Sequence, residues 1–187
     1  MNNNEIEAVV RSVVEAMSGQ EGVKAVNPKA ASGGRTGNTV AANGGAVQVT
    51  MTLEKATKLI AKVEAKAAQW GMRVVTAVSD ASGRPVAVHC MDGAYIGSFD
   101  VALNKTYTSI AFQMSTAELG KLSQPGESLY GIQFTNEGKI VIFGGGEVLK
   151  CGEVIVGALG VSGGSAKQDT ELAAYGKSVF EEELACR

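Results

Sequence analysis

Few residues of this 187-residue chain have side chains that could carry chemistry, and His89 is the first of them. It is the single histidine, and it stands beside Cys90 and Met91 in a segment with a strand pattern. Neutral imidazole binds iron well, so His89 is a candidate metal or haem ligand; a half-buried strand histidine with a hydrogen-bonded ring is the alternative. No serine or cysteine accompanies it at the spacing of a nucleophilic triad, and the chain has no CxxC motif from which to predict a zinc site.

Glycine-rich segments are the second candidate, because the chain holds 24 glycines and only 3 prolines. Segments 144–146 and 162–165 could both present backbone N–H groups to an anion, and the second opens a helix, whose dipole favours negative charge. Neither segment matches a phosphate-loop or dinucleotide-binding fingerprint, and tight turns are the alternative explanation. Asp80, Asp92 and Lys105 are isolated charges near turns, for which turn-forming or solvated roles are the alternative.

Composition excludes several classes of protein. The 17 basic and 19 acidic residues give a net charge of −2, so we expect no nucleic-acid partner. The apolar runs are shorter than the ~20 residues of a membrane-spanning helix, so we expect no membrane span. With 45% hydrophobic residues the chain can bury a core. Cys90, Cys151 and Cys186 are odd in number and far apart, which argues against a disulfide scaffold and favours a reducing compartment.

Residues 1–18 are predicted to form an amphipathic helix that positions an apolar stripe. The stripe recurs at helical spacing and consists of Ile6, Val9, Val10, Val13, Val14 and Met17. Asn4 is the candidate N-cap, and the segment lacks the features of a secretory signal. Residues 19–50 are rich in Gly, Ala and Asn and predict a flexible linker. The stripe is expected to dock on a partner; packing on its own domain is the alternative.

Residues 51–187 predict the folded domain. Its first helix is capped by Thr52 and ends at Gly71, and strands follow at 73–79 and 84–90. A helix is expected at 98–112, irregular chain at 119–137, and strands at 139–143 and 153–161 around a hairpin region, 144–152. Ser165 and Gln168 predict a capping box for the last helix. Because hairpins make antiparallel sheets, the class is α+β, with a mainly antiparallel sheet of about five strands flanked by helices.

Several segments of this domain together resemble the GlcG/HbpS-like haem-binding family, which includes the C-terminal domain of PduO from propanediol-utilisation organelles. The resemblance rests on residues 75–80, 83–88, 91–94, 104–108, 116–119, 124–126, 143–146 and 156–163. It covers nearly all of 51–187, although Ser115 stands where the family usually has proline. The resemblance implies a profilin- or PAS-like layout, assembly into a homo-oligomer, and haem or a related cofactor bound in some members.

The resemblance also implies candidate cofactor residues. The family ligates haem iron through a histidine on the first domain helix or a threonine after the second. The helix that begins at Thr52 has no histidine, so only the threonine carries over, to Thr116 or Thr108. Tyr107, Phe112 and Met114 could form the apolar walls of the site, and Lys105 could bind a propionate. We therefore predict weak, mainly high-spin haem binding, with His89 as the other candidate ligand.

The same resemblance suggests a targeting role for the predicted N-terminal helix. Residues 1–18 look like the encapsulation peptides that direct cargo into bacterial microcompartments, by burying an apolar helix face against shell or fellow cargo proteins. This implies a cytoplasmic protein of the microcompartment lumen. The expected function is a non-catalytic haem- or related cofactor-binding protein of that pathway, because no acid/base pair or nucleophile is recognisable. The alternative is a small redox or cofactor-recycling enzyme that uses a flavin- or corrinoid-like cofactor.

Overall fold

The computed structural model of the protein describes residues 50–185, which contain four α-helices, two 3-10 turns, one π-helical turn and four strands. In chain order the elements are helix α1 (Leu53–Gln69), strands β1 (Val75–Asp80) and β2 (Pro85–Cys90), helices α2 (Ser98–Phe112) and α3 (Thr116–Leu122), strands β3 (Gly146–Cys151) and β4 (Val154–Ser162), helix α4 (Ala166–Val179) and a π-helical turn (Phe180–Leu184). Two short 3-10 turns, Ile132–Phe134 and Asn136–Gly138, lie between α3 and β3. The predicted helix 1–18 and all of the predicted linker except residue 50 lie outside the described residues.

The strands form one antiparallel sheet in the order β2-β1-β4-β3. This confirms the predicted α+β class, although the described part of the chain has four strands instead of about five. The strand expected at 139–143 is absent. A backbone group of this segment bonds to a side chain and not to a neighbouring strand, because the Val141 N–H donates to the Thr108 hydroxyl at 3.0 Å. The third strand instead begins at Gly146, inside the region predicted as the hairpin.

Helices cover both faces of the sheet. Alternate residues of a strand point to opposite faces, so Val78 packs with α1 and α4 while Ala77 packs with α2. The larger cluster joins Leu59, Ile60 and Val63 of α1 to Leu159 of β4 and Leu172 of α4. The smaller cluster contains Val75, Ala77 and Ala102. Residues on α1 and residues on α2 are therefore separated by the sheet.

Glycines allow α2 to lie unusually close to the sheet. A Cβ atom at Gly160 of β4 would collide with the carbonyl oxygen of Ala102 on α2. A Cβ at Gly146 would lie 2.6 Å from Thr116 Cγ2 and 2.8 Å from Ser109 Oγ. Close packing of neighbouring elements thus explains the glycine at both positions, and segment 144–146 is interior chain instead of an exposed anion loop.

The helix ends follow the sequence signals, with one exception. The Thr52 hydroxyl accepts from the Lys55 N–H at 3.2 Å, and Ser165 and Gln168 form the predicted capping box. The segment 119–137 was expected to be irregular, but its first residues belong to α3. A second capping box, between Ser115 and Glu118, starts that helix. Family members usually have proline at this position, and serine here supplies the cap.

The cysteines differ in state. Cys90 is free and exposed, whereas Cys151 takes part in a disulfide, so the expectation of reduced cysteines is wrong for Cys151. None of the helices between residues 50 and 185 is long and apolar enough to cross a membrane.

Candidate functional site

Lys105 lies in the interior and not at a ligand surface. Its side chain is fully buried, and its ammonium donates to the Asp169 carboxylate at 2.9 Å and to the Val161 carbonyl at 2.6 Å. Burial lowers the pKa of Lys105, while Asp169 opposes that shift. The structure therefore argues against the predicted role of Lys105 as a propionate partner, because its side chain is buried and two of its three N–H donors are hydrogen-bonded within the described chain.

Both candidate threonine ligands are also interior. The Thr116 hydroxyl accepts from the Gly146 N–H at 2.9 Å. The Thr108 hydroxyl donates to the Asn104 carbonyl at 2.7 Å and accepts from Val141. Each side chain is almost completely buried, so neither oxygen faces a space that could hold an iron atom. The two threonines instead hold α2 and α3 to the chain around β3.

His89 lies on the opposite face of the sheet from α2. On β2 it pairs with Thr76, and its Nδ1 atom is 3.3 Å from the Glu64 carboxylate of α1. The side chain is 43% exposed. Because the sheet separates α1 from α2, His89 and a cofactor held by α2 residues of the same protomer do not meet. The geometry supports a half-buried strand histidine beside an acidic residue of α1.

Of the predicted apolar walls, Tyr107, Phe112 and Met114 are all partly exposed. The Tyr107 hydroxyl accepts a hydrogen bond from Asn136 Nδ2 at 3.0 Å, which places the 3-10 turns beside α2. Met114 follows the end of α2 and lines a separate groove. The structure thus brings Tyr107 to the 3-10 turns and Met114 to the groove, and the six predicted cofactor residues do not form one site.

Exposed apolar side chains beside α2 were missed by the sequence reasoning. Tyr95 and Ile96, before the helix, are 74% and 96% exposed, and Phe134 in a 3-10 turn is 83% exposed. Phe99 and Tyr130 are also exposed. Large apolar side chains that concentrate on a surface indicate a binding or association surface. Tyr95, Ile96 and Tyr130 lie outside the helices and strands, where helical or strand periodicity gives no signal.

A groove lies at the far end of α2. Its volume is about 580 Å³, and it lies between the end of α2, α3, β3 and α4. Its lining residues are Gln113, Met114, Ser115, Glu118, Lys121, Leu122, Glu147, Val148, Lys150 and Lys177. Met114 is the one predicted site residue among them. We call this cavity the α2–β3 groove.

The electrostatics of the α2–β3 groove centre on Glu147. Its carboxylate is 3.3 Å from the Lys177 ammonium, and its side chain is 13% exposed. Loss of solvation raises the pKa of Glu147 despite the nearby ammonium. Glu118 is different, because hydrogen bonds from the Ser115 N–H and hydroxyl lower its pKa.

Two lysines of the groove have no acidic partner within residues 50–185. Lys121 and Lys150 both line the groove, and neither takes part in an ion pair with a described residue. In the same range, no three His, Cys, Asp or Glu side chains are placed to hold a metal ion. These two lysines are therefore the groups of the groove that could contact an anion.

Relatives of known description share much of the chain. A 15.0 kDa protein of Citrobacter freundii, described as uncharacterized and from the dhaT-dhaS intergenic region, is 43% identical over 71% of this chain and 94% of its own length. The corrinoid adenosyltransferase PduO of Salmonella typhimurium is 38% identical over 58% of this chain. That match spans 32% of the PduO protein, about a third of its length.

Solved structures and a family model also match this chain. The Klebsiella pneumoniae protein ORFY has a TM-score of 0.69 at 38% identity, over 75% of this chain and 97% of that one. The PduOC:heme complex has a TM-score of 0.67 at 33% identity, over 70% of this chain and 94% of that one. The model of the family described as haem degrading protein HbpS-like matches residues 51–177. This chain belongs to the HbpS-like family.

Proposed function

We propose that this protein binds haem, as a non-catalytic member of a bacterial microcompartment pathway. The observation that carries the proposal is the 33% identity, at a TM-score of 0.67, to a structure described as a complex with haem. The description of the family as haem degrading HbpS-like proteins supports the same cofactor. Flavin and corrinoid are not proposed. The corrinoid enzyme among the relatives is matched over only 32% of its length.

The described surface beside α2 offers apolar contacts for the porphyrin ring of haem, but the threonines predicted to ligate its iron are not free. A porphyrin is planar and largely apolar, and the exposed rings of Tyr130 and Phe134, with the partly exposed ring of Tyr107, offer apolar contact beside α2. The hydroxyls of Thr108 and Thr116 are buried and already hydrogen-bonded. We therefore propose that Tyr107 and the 3-10 turns hold the macrocycle, with Phe112 at the edge, and that the protomer supplies no strong axial ligand.

Haem bound in this way would supply redox and ligand-binding chemistry at iron, while the protein supplies apolar contact. The absence of a strong protein ligand predicts weak, mainly high-spin binding. His89 lies on the other face of the sheet, so its removal is not expected to change the spectrum. The same surface leaves apolar side chains for a second copy, and we propose that the chain assembles into a homo-oligomer.

The test is a haem titration of the full chain followed by absorbance. We expect a Soret band for the parent, an unchanged band for His89→Ala, and weaker binding for Phe134→Ser. Leu53→Ser is the matched control, because Leu53 is an exposed apolar residue of α1 on the other side of the sheet. A parent protein that gives no spectral change on addition of haem rules out the proposal, and loss of the band in His89→Ala alone would show that His89 is the ligand.

The family description favours haem degradation as the second candidate function. The two functions differ in the fate of bound haem. If the protein only binds haem, the Soret band persists when the complex is incubated aerobically with ascorbate and catalase. If the protein is an enzyme, the band decays faster than that of haem bound to serum albumin.

We further propose that residues 1–18 deliver the protein to the lumen of a cytoplasmic microcompartment. Support comes from the valine-rich stripe of these residues and from the similarity of the domain to PduO proteins. The expected partners are shell or fellow cargo proteins. Their contact would bury the stripe in the manner of a helix in an apolar groove.

A further inference from the structure

The α2–β3 groove has a floor and a rim of different chemistry. Met114, Leu122 and Val148 supply apolar surface, while the ammonium groups of Lys121 and Lys150 line the same cavity. We propose that this groove binds an organic anion that carries one carboxylate or phosphate group on an apolar chain. The site is separate from the surface proposed for haem, and the proposal does not depend on haem binding.

The charges of the groove favour a single negative group. The groove is lined by three lysines, Lys121, Lys150 and Lys177, and by two acidic residues, Glu118 and Glu147. Glu118 is committed to its capping box, where the Ser115 N–H and hydroxyl donate to it at 3.0 and 2.9 Å. Its charge is thus partly satisfied by groups other than lysine, and neither Lys121 nor Lys150 is in an ion pair with a described residue.

A second hollow indicates where the carboxylate or phosphate group of the ligand, its head, would lie. It adjoins the groove, has a volume of about 430 Å³, and is lined by Lys150, Gly152, Lys177 and Glu181. Lys150 and Lys177 line both cavities, so they stand where the two meet. A carboxylate or phosphate at that junction can accept from both ammonium groups. The apolar chain then lies on Met114, Leu122 and Val148.

Glu147 sets the direction in which such a molecule lies. Its side chain is largely buried in the groove wall and 3.3 Å from the Lys177 ammonium. An anionic head placed against Glu147 would be repelled, whereas an apolar chain there would not. Glu181 of the second hollow repels the head likewise, so the head is expected against the Lys150 and Lys177 ammonium groups.

Haem and this anion are expected at different places. Tyr107 does not line the groove, and Phe134 belongs to a 3-10 turn that contributes no residue to it. The groove would thus remain available when haem is bound.

The test uses octanoate and octyl phosphate as probes for the full chain, without haem. Calorimetry gives the affinity, and amide chemical shifts of Val148 and Lys150 give the location. We expect both probes to bind in the groove, with acetate and octanol far weaker, because each buried CH₂ contributes about fourfold to affinity and the head contributes charged hydrogen bonds. The better of the two heads identifies the natural one as a carboxylate or a phosphate.

Variants tie the binding to the named residues. Lys150→Gln is expected to weaken octanoate binding about tenfold, and Leu122→Ser to weaken it without changing the binding of acetate. Lys167→Gln is the matched control, since Lys167 lies on α4 outside the groove and its side chain is 87% exposed. If circular dichroism shows that Lys150→Gln is unfolded, Lys121→Gln takes its place.

Two results would overturn the proposal. One is an octanoate affinity that is absent in the parent, or equal in the parent and in the lysine variant. The other is displacement of octanoate by haem, which would make the groove the haem surface. A parent protein that binds octanoate but not haem refutes the proposed function and leaves the groove assigned.

Discussion

Replacement of Lys105 by methionine should strongly destabilise the folded protein, because it leaves a buried carboxylate without its charged partner. The Lys105 ammonium and the Asp169 carboxylate are 2.9 Å apart, with side chains 0% and 4% exposed. At an effective dielectric constant of about 20, their attraction at this distance is about 6 kcal/mol. The desolvation of each ion costs several kcal/mol, so the intact pair contributes little net stability.

Breaking the pair is a different matter. Lys105→Met leaves Asp169 with the Gly164 N–H, at 2.9 Å from its Oδ1, as its remaining hydrogen-bond donor. It also removes the donor from the Val161 carbonyl. Loss of one partner of a buried pair costs about 3–5 kcal/mol, against total stabilities of about 5–15 kcal/mol for a domain. We expect a loss in this range for Lys105→Met.

Urea unfolding followed by far-UV circular dichroism measures this loss. The double variant Lys105→Met/Asp169→Asn should recover about 2 kcal/mol or more, because asparagine removes the unpaired charge and keeps an acceptor for Gly164. Lys167→Met is the control and should stay within about 0.5 kcal/mol of the parent. A loss below about 1 kcal/mol in Lys105→Met would refute the argument. Any loss of haem binding in a Lys105 variant must then be judged against its folded fraction.

Four further predictions concern packing, pH, assembly and targeting. Gly160→Ala should cost about 1–3 kcal/mol in urea unfolding, because its Cβ meets the Ala102 carbonyl, whereas Gly97→Ala meets nothing within 4 Å and should change stability little. Glu147→Gln should raise the melting temperature at neutral pH but not at a pH below the ordinary pKa of glutamate, and an equal effect at both pH values would contradict this prediction. Desolvation raises the pKa of Glu147, so stability that is present at low pH is lost as the pH rises through the folded-state pKa. Glutamine removes that loss. Ile96→Glu should shift sedimentation toward smaller species and Leu53→Glu should not, and a parent that sediments as a clean monomer at micromolar concentration would disprove the oligomer. In a fluorescent fusion of residues 1–18, Val10→Glu/Val14→Glu should abolish co-localisation with microcompartments, while Ser12→Glu should retain it. A charge on the stripe removes a burial contribution of about 1.5–3 kcal/mol per valine. Unchanged co-localisation of the double variant would refute the targeting proposal.

The sequence by itself determined the elements whose signals are local. The helix capped by Thr52, the helix at 98–112 and the hairpin strands before it follow from periodicity, caps and turn residues that lie within a few positions of one another. The class of fold and the family resemblance rest on the same short-range patterns, and both were confirmed.

The third strand could not be predicted in the same way. The apolar run at 139–143 has the composition of a strand, yet Val141 finds its acceptor on the Thr108 side chain, 33 residues earlier. The strand begins instead at Gly146, where close contact with α2 and α3 permits no side chain. A segment's choice of hydrogen-bond partner depends on which elements lie beside it, and periodicity carries no such information.

Only the tertiary structure decided the functional roles of the polar residues. Lys105, Thr108 and Thr116 have the side chains of ligand-binding residues, but the packing of α2 and α3 against the sheet buries all three and pairs them internally. The α2–β3 groove arises in the opposite way, from Lys121, Lys150 and Lys177 on three different elements. The sequence does not distinguish a lysine that neutralises a buried carboxylate from a lysine that lines a cavity. Burial and partners are set by contacts between distant parts of the chain.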